Sequence, residues 1–561
     1  MKTCILLCLL IVSCYPLSLA RADDQTVRCR QGVVVCVNGP ASDVGLAVLR
    51  QGGNAVDGAV ATAFALAVIY PAAGNIGGGG FLLARFADGR AAFIDFRERA
   101  PEKASRNMYI GPDGKVTPDS LVGYRASGVP GTVRGLELAH QKYGRKAWRD
   151  LVEPAVELAS RGFPVSYGLA SSLRSKHTSE RLSRFPESRR IFLKDGKFFE
   201  AGERLVQPEL ARTLDRIRDR GAKGFYEGET AELLAADMKE HGGLITLDDL
   251  KEYKAIERAP LTGSYRGYGI VTAPPPSSGG VGILQMLGVL EGSGYEKSGA
   301  QSAATLHFMA EAMRRYFADR SEYMGDPDFY RVPVSGLLNA RYIAGLRQSI
   351  DPDHATPSAA LHPGKPASYE SSETTHYSIV DAEGNAVAVT YTLNDGYGSG
   401  VTATKLGFLL NNQMDDFAAK PGEPNAYGLV QGEANAIQPR KTPLSSMTPT
   451  IVLRDGKLYL VVGSPGGPTI INTVLEVIVN VIDFGMNVAD AVDAPRLHHQ
   501  WMPDVLKMER GFSPDTVALL KARGHAIELE NSQGEVAAIR VSDGWLEGSA
   551  DSRTEGTAKG Y

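Results

Sequence analysis

The sequence has little cysteine, no basic cluster and none of the common nucleotide, zinc or serine-hydrolase signatures. Three of its five cysteines, Cys4, Cys8 and Cys14, fall within the first 22 residues. Cys29 and Cys36 alone could not staple the rest, so a hydrophobic core has to hold the chain. A straight strand would put these two on opposite faces, so pairing them needs a turn at Gln31-Gly32. The alternative is two small buried hydrophobes, and both readings stay open at this level. The formal charge of -4 is mildly acidic and unpatterned, which excludes an electrostatic footprint for nucleic acid. No GxxxxGK[ST] loop is present, and Leu82 and Leu83 occupy the closing positions that would make the glycines at 77–80 a GxGxxG motif. Neither CxxC, HExxH nor G-x-S-x-G occurs, so no metal or cofactor is expected. The adjacent His498 and His499 do not share a face and read as structural.

The one apolar run at the start, Cys4–Leu19, is broken at Pro16 and is too short for a comfortable span. It follows Met1-Lys2 and ends in Ala20-Arg21-Ala22, a small-x-small cleavage pattern. This predicts a signal peptide over 1–22 and export to a periplasmic or extracellular space, with no transmembrane span left afterwards. Ile11-Val12-Ser13-Cys14 offers a second reading, a lipoprotein site with Cys14 lipidated.

The full sequence is 43% hydrophobic and 22% charged, an ordinary globular balance. Residues 42–69 predict two helices broken at Gly52-Gly53, the second apolar nearly all round and therefore buried. FLLARF and AAFIDFR around Ala87-Asp88-Gly89 predict a hairpin. Residues 130–260 read as mostly helical, and Pro274–Gly280 leads into a helix over Val281–Leu290. A stretch rich in Pro, Ser and Ala over 352–372 reads as a loose linker. Strand patterns follow it: THYSIV, AVAVTYTLN, LGFLLNN, and TPTIVLRD with KLYLVVGS joined at Asp455-Gly456. Helices are expected over Thr469–Phe484 and Val488–Ala494. Helices outside and strands inside in both halves argue a layered sandwich.

Directly after the linker stands Glu373-Thr374-Thr375-His376. A threonine hydroxyl is a weak nucleophile unless a base adjoins it, and its own α-amine can serve only if the residue is N-terminal. Such an amine titrates near ~7.7–8.0, which suits a general base. Thr374 meets the condition only if the chain is cut after Glu373. With Asp381–Asn385 as the turn, Val380 faces Ala386 and Thr374 would face Thr392, with Asn394 two further along on the same face. A turn one residue shorter would pair Thr374 with Tyr391 instead. Taken alone, such a segment is a structural strand start far more often than a catalytic one.

TTHYSIVDAEGNAVAVTYTLN, LLNNQMDDF (409–417), PLSSMTPTIV (443–452) and GSPGG (463–467) resemble the γ-glutamyltranspeptidases, a family of self-processing N-terminal-nucleophile hydrolases. AVDGAVATAFALAV, GNIGGGGF, IDFRERAP (94–101) and PPPSSGG match it in the other half. The resemblance runs from about Val27 to the final Gly-Tyr. It implies an α+β fold, a four-layer αββα sandwich, made from a large subunit (23–373) and a small subunit (374–561) cut from one precursor. Thr374 matches both the self-cleaving residue and the nucleophile, Thr392 its hydroxyl partner, and Gly466 and Gly467 the oxyanion hole. Arg97 matches the clamp on the substrate α-carboxylate, with Ser445 and Ser446 beside it. Asn394, Gln413 and Asp416 match the groups around the α-ammonium, and Tyr427 the bacterial lid loop. The implied substrates are glutathione and related γ-glutamyl compounds, with water, amino acids or dipeptides as acceptors. Asp551-Ser552-Arg553 departs from the family in having Ser where Pro is common. Each residue also has an ordinary reading: Arg97 in a surface ion pair with Glu98 or Asp95, Asp416 as a turn residue beside Asp415, Ser445-Ser446 as a loop cap, and Gly466-Gly467 as a turn after Pro465.

Overall fold

The computed structural model describes residues 25–363, 375–423, 429 and 432–561. The leader with Cys14, Thr374 and Tyr427 lie outside the described residues. Two seven-stranded antiparallel sheets form the centre. The first runs Thr557–Gly560, Val33–Cys36, Thr375–Val380, Ala386–Thr392, Gly79–Arg85, Ala91–Asp95, Ile256–Arg258. The second runs Thr26–Cys29, Trp545–Ala550, Ala537–Ser542, Lys457–Gly463, Thr450–Arg454, Tyr268–Thr272, Leu261–Tyr265. Strands that follow the linker in sequence lie inside each sheet between strands that precede it, so residues 25–363 and 375–561 share one fold.

Strand alternation builds two apolar layers. Val34 and Cys36 join a core with the helix Ala55–Ile69, while Val33 and Val35 join Ile451, Val461 and Ile539 of the other sheet. Ala55–Ile69 is buried at every position, as its all-round apolar pattern predicts, and begins in a capping box between Asn54 and Asp57. The Asp57 carboxylate also accepts from the Arg145 backbone N–H. Tyr377 and Tyr391 reach this helix and donate to the carbonyls of Ala59 (2.8 Å) and Ala63 (3.0 Å). Helices Gly279–Leu290 and Thr469–Ile482 cover the second sheet, which completes a four-layer αββα sandwich. Among the described residues no helix is long and apolar enough to cross a membrane.

Two expectations are corrected and an open one is settled. LGFLLNN forms no strand beyond an isolated bridge between Thr402 and Leu409. Its apolar residues bury without a ladder because the segment lies against the glycine run, where Asn411 Nδ2 donates to the Gly77 carbonyl at 2.8 Å. A Cβ on Gly77 would sit 2.2 Å from the Leu409 oxygen. The first helix begins at Gly39, three residues before the expected start. Cys29 and Cys36 lie in different sheets as buried free thiols, donating to Gly32 O and Asn38 O.

The histidines are structural. His376 lies between the sheets with its Nδ1 at 2.8 Å from Thr390 Oγ1 and its Nε2 at 3.0 Å from Ser378 Oγ. A Cβ on Gly463 of the facing sheet would be 2.3 Å from its ring. His498 is held by Asn472 and Gln500, and His499 Nδ1 accepts from the Trp501 N–H. Burial pushes His376 down to about 3. Because its folded pKa is depressed below the unfolded value of ~6.5, its stabilising contribution is full above that value and is lost as pH falls toward 3. A His376→Gln variant should show this by subtraction. In urea unfolding, the wild-type-minus-variant stability difference should fall by about 2–3 kcal/mol between pH 7 and 4.5. A pH-independent difference would contradict it.

Candidate active site

Thr392 ends the strand beside the glycine run, with Gly79 as its cross-strand partner. Its carbonyl accepts from Asn75 Nδ2 at 2.9 Å, and its hydroxyl accepts from the Asn394 N–H at 2.7 Å. The chain passes so close here that a Cβ on Gly78 would lie 1.9 Å from the Thr392 oxygen, which only glycine tolerates. Asn394 sits at φ +79° and sends its Nδ2 to the Asn412 carbonyl at 3.0 Å. That bond ties the strand end to the short 3-10 turn Gln413–Asp416.

The Asp416 carboxylate receives both Gln413 Nε2 and the Arg97 guanidinium on the same oxygen. Arg97 leaves the end of Ala91–Asp95, with its N–H bonded to Asp95 Oδ1 at 3.0 Å and its carbonyl to the Tyr253 hydroxyl at 2.8 Å. Its Nε and Nη2 also donate to the carbonyls of Pro443 (3.3 Å) and Leu444 (3.0 Å), respectively. The next residues are Ser445 and Ser446. Ser445 is bonded through its backbone to Pro276 and Ser278, and the Ser446 hydroxyl accepts from Arg320 at 2.8 Å. Thr392, Asn394, Gln413, Asp416, Arg97 and Ser445-Ser446 are therefore one continuous buried set.

This geometry bears on the ordinary readings of these residues. Arg97 does stand 3.7 Å from Glu98, but both side chains are buried to within 1%. Asp415, next to Asp416, instead accepts from the sequence-distant Ser120 hydroxyl at 2.8 Å. Glu98 was seen in the sequence only as a surface partner. Here burial pushes its carboxyl up to about 8, so it is largely neutral at pH 7 beside Arg97. Arg320, which braces Ser446 and Ser278, was missed in the sequence. Its signal was an arginine buried within the helix Ala303–Tyr323.

Gly466 and Gly467 precede the helix Thr469–Ile482 at φ +131° and +62°. Their carbonyls turn back to the N–H groups of Thr469 and Ile470. Among the described residues neither glycine N–H has a hydrogen-bond acceptor, leaving two donors at a helix start. Gly466 lines a cavity of about 190 Å³ together with Gly396, two residues beyond Asn394.

A γ-glutamyltranspeptidase family model matches residues 41–561. The chain belongs to that family. A glutathione hydrolase proenzyme of Escherichia coli (strain K12) is 52% identical over 532 residues, covering 94% of this γ-glutamyltranspeptidase family member and 91% of the relative. The γ-glutamyltranspeptidase structure from Helicobacter pylori is 46% identical over 59% of this chain and 95% of that one, with a TM-score of 0.57. A cephalosporin acylase structure from Bacillus halodurans superposes over 98% of both chains at a TM-score of 0.86 and 27% identity. The fold thus serves more than one acyl substrate, and the side chains around Arg97 have to decide between them.

Proposed function

We propose that this γ-glutamyltranspeptidase family member is a self-processing enzyme that moves the γ-glutamyl group of glutathione and related compounds to water or to acceptor amines. The observation that carries it is the buried Arg97–Asp416 pair with Gln413 on the same carboxylate oxygen. A free α-amino acid head is a zwitterion. It can take the Arg97 guanidinium with its carboxylate and Asp416 with its ammonium, replacing one ion pair by two without adding net charge. A glutaryl side chain lacks the ammonium and would leave Asp416 without that cation, which disfavours a glutaryl-acylase reading. Ser445 and Ser446 flank the carboxylate end; Asn394 and Gln413 flank the ammonium end.

Thr374 is the proposed nucleophile. The pairs from Thr375↔Tyr391 to Val380↔Ala386 keep one register, and one further residue would place position 374 opposite Thr392. In the precursor its hydroxyl attacks the Glu373 carbonyl, so that 23–373 and 374–561 become the large and small subunits. In the mature enzyme its freed α-amine takes the hydroxyl proton as Oγ attacks the γ-carbonyl. The Gly466 and Gly467 N–H groups hold the oxyanion, a contribution of ~3 kcal/mol per donor. The proton then passes to the leaving amine, and water or an acceptor amine cleaves the γ-glutamyl ester. Tyr427 belongs to the proposed lid. A signal peptide over 1–22 and export to the periplasm or outside complete the reading, with lipidation at Cys14 as the alternative processing.

Release of aniline from a γ-glutamyl anilide, with and without glycylglycine, tests this. Release in both cases, raised by the dipeptide, is expected. Release from a glutaryl anilide but not from the γ-glutamyl one would overturn the reading in favour of an acylase.

A further inference from the structure

The cavity at Gly466 does not end there. Its far wall is Tyr70, Ala72 and Glu535, and these three residues also line a second cavity of about 370 Å³. That second space reaches Ser172, Arg553 and Tyr167, whose ring is 78% exposed at the outer end. A cavity of about 190 Å³ falls short of the usual ~300–1,000 Å³ of a ligand site, whereas its neighbour of about 370 Å³, which shares three wall residues with it, falls within it.

The glutamyl head is accounted for by Arg97, Gln413, Asp416 and Ser445-Ser446, none of which lines either cavity. What remains is the nitrogen side of the scissile bond. The leaving amine and an incoming acceptor amine occupy the same position, because forming and aminolysing the ester are the same step run in opposite directions. A space that starts at an oxyanion donor and leads away from the glutamyl residues is where that amine's substituent goes.

We propose that the cleft from Gly466 past Tyr70 and Glu535 to Tyr167 is a peptide subsite, and that it favours acceptors of three residues ending in an aromatic side chain. This rests on the γ-glutamyl transfer reading and extends it. The acceptor's α-amine forms the C–N bond to the γ-carbonyl as the C–O bond to Thr374 breaks. The proton lost by the nitrogen returns through the Thr374 α-amine to the Thr374 oxygen. The peptide chain then runs over the Tyr70–Glu535 neck, and its third side chain lies against Tyr167, where ring stacking is available.

The charges at the neck suit a peptide and its C-terminal carboxylate. Tyr70 hydrogen-bonds the Glu535 carboxyl, which burial and then the nearby Asp551 push up to about 7, so its negative charge is only partial at neutral pH. Arg553 is engaged by Glu509 at 2.5 Å and Asp551 at 3.1 Å and presents a compensated guanidinium. Glu555 is occupied in turn by the Gly168 N–H at 2.8 Å. Tyr167 is thus the wall residue with an open face.

Acceptor kinetics with a γ-glutamyl anilide donor test the proposal, comparing glycylglycine, Gly-Gly-Gly and Gly-Gly-Phe. Gly-Gly-Phe should exceed glycylglycine at least fivefold in acceptor kcat/KM. In Tyr167→Ala that advantage should shrink to within twofold, while Tyr167→Phe should keep it. Wild-type protein that transfers to all three acceptors equally, or an advantage that survives Tyr167→Ala, would overturn the subsite. Absence of any anilide turnover would instead overturn the underlying transfer reading, so the two failures are distinct.

Discussion

Thr374→Ala should accumulate as a single uncut chain with γ-glutamyl anilide turnover lowered on the order of 10⁴-fold or more. One residue is asked to perform two acyl transfers, the first on its own peptide bond and the second on substrate, so its hydroxyl cannot be spared in either. The effect should be chemical rather than structural. Thr375–Val380 is anchored in the centre of its sheet, between Val33–Cys36 and Ala386–Thr392, and the proposed cut precedes it. The uncut variant should therefore keep the wild-type far-ultraviolet circular dichroism. Thr374→Ser, which retains a hydroxyl, should be cut more slowly and regain activity as the cut proceeds. Cleavage of Thr374→Ala at the 373–374 bond would contradict the assignment.

The second large effect is expected at Asp416. In Asp416→Ala the buried Arg97 loses its ionised partner, a disruption of about 3–5 kcal/mol for a buried pair. Glu98 limits the damage. Its carboxyl stands 3.7 Å from Arg97 and titrates near 8, so it can ionise to become the new counter-charge. Folding should survive, but no carboxylate then stands at the 416 position to meet the substrate ammonium. On a γ-glutamyl anilide kcat/KM should fall 10²–10³-fold. On a glutaryl anilide, which brings no ammonium, the fall should be at least tenfold smaller. Equal losses on the two substrates would mean that Asp416 does not read the ammonium.

The layered fold was legible in the sequence wherever a single period ruled. The all-buried helix Ala55–Ile69, the hairpin at Asp381–Asn385 and the hairpin at Asp455-Gly456 follow from apolar patterning and turn residues alone. LGFLLNN defeated that reasoning because its leucines are buried by a glycine-rich neighbour instead of a ladder, and no local period distinguishes the two. Cys29 and Cys36 stayed open for a similar reason, since a seven-residue spacing does not say that the strands enter different sheets.

For the candidate site, residue types suggested a chemistry, yet only the resemblance gathered them. Nothing in the spacing of Arg97, Gln413, Asp416 and Ser445 reveals that one carboxylate oxygen binds both Arg97 and Gln413 while Leu444 holds the same guanidinium. The buried Glu98 carboxyl and the bracing by Arg320 were invisible for the same reason. The Arg97–Asp416 and Arg320–Ser446 contacts join positions more than a hundred residues apart in sequence. Thr392 came closest to being read directly, because a hairpin register is a local property.

Intact-mass analysis of the purified active protein bears most directly on the central claim, that the enzyme works through an N-terminal threonine made by its own cleavage. The expected spectrum contains two chains, one ending at Glu373 and one spanning Thr374–Tyr561, with anilide turnover tracking the fraction cut. A single uncut chain with full activity would contradict it.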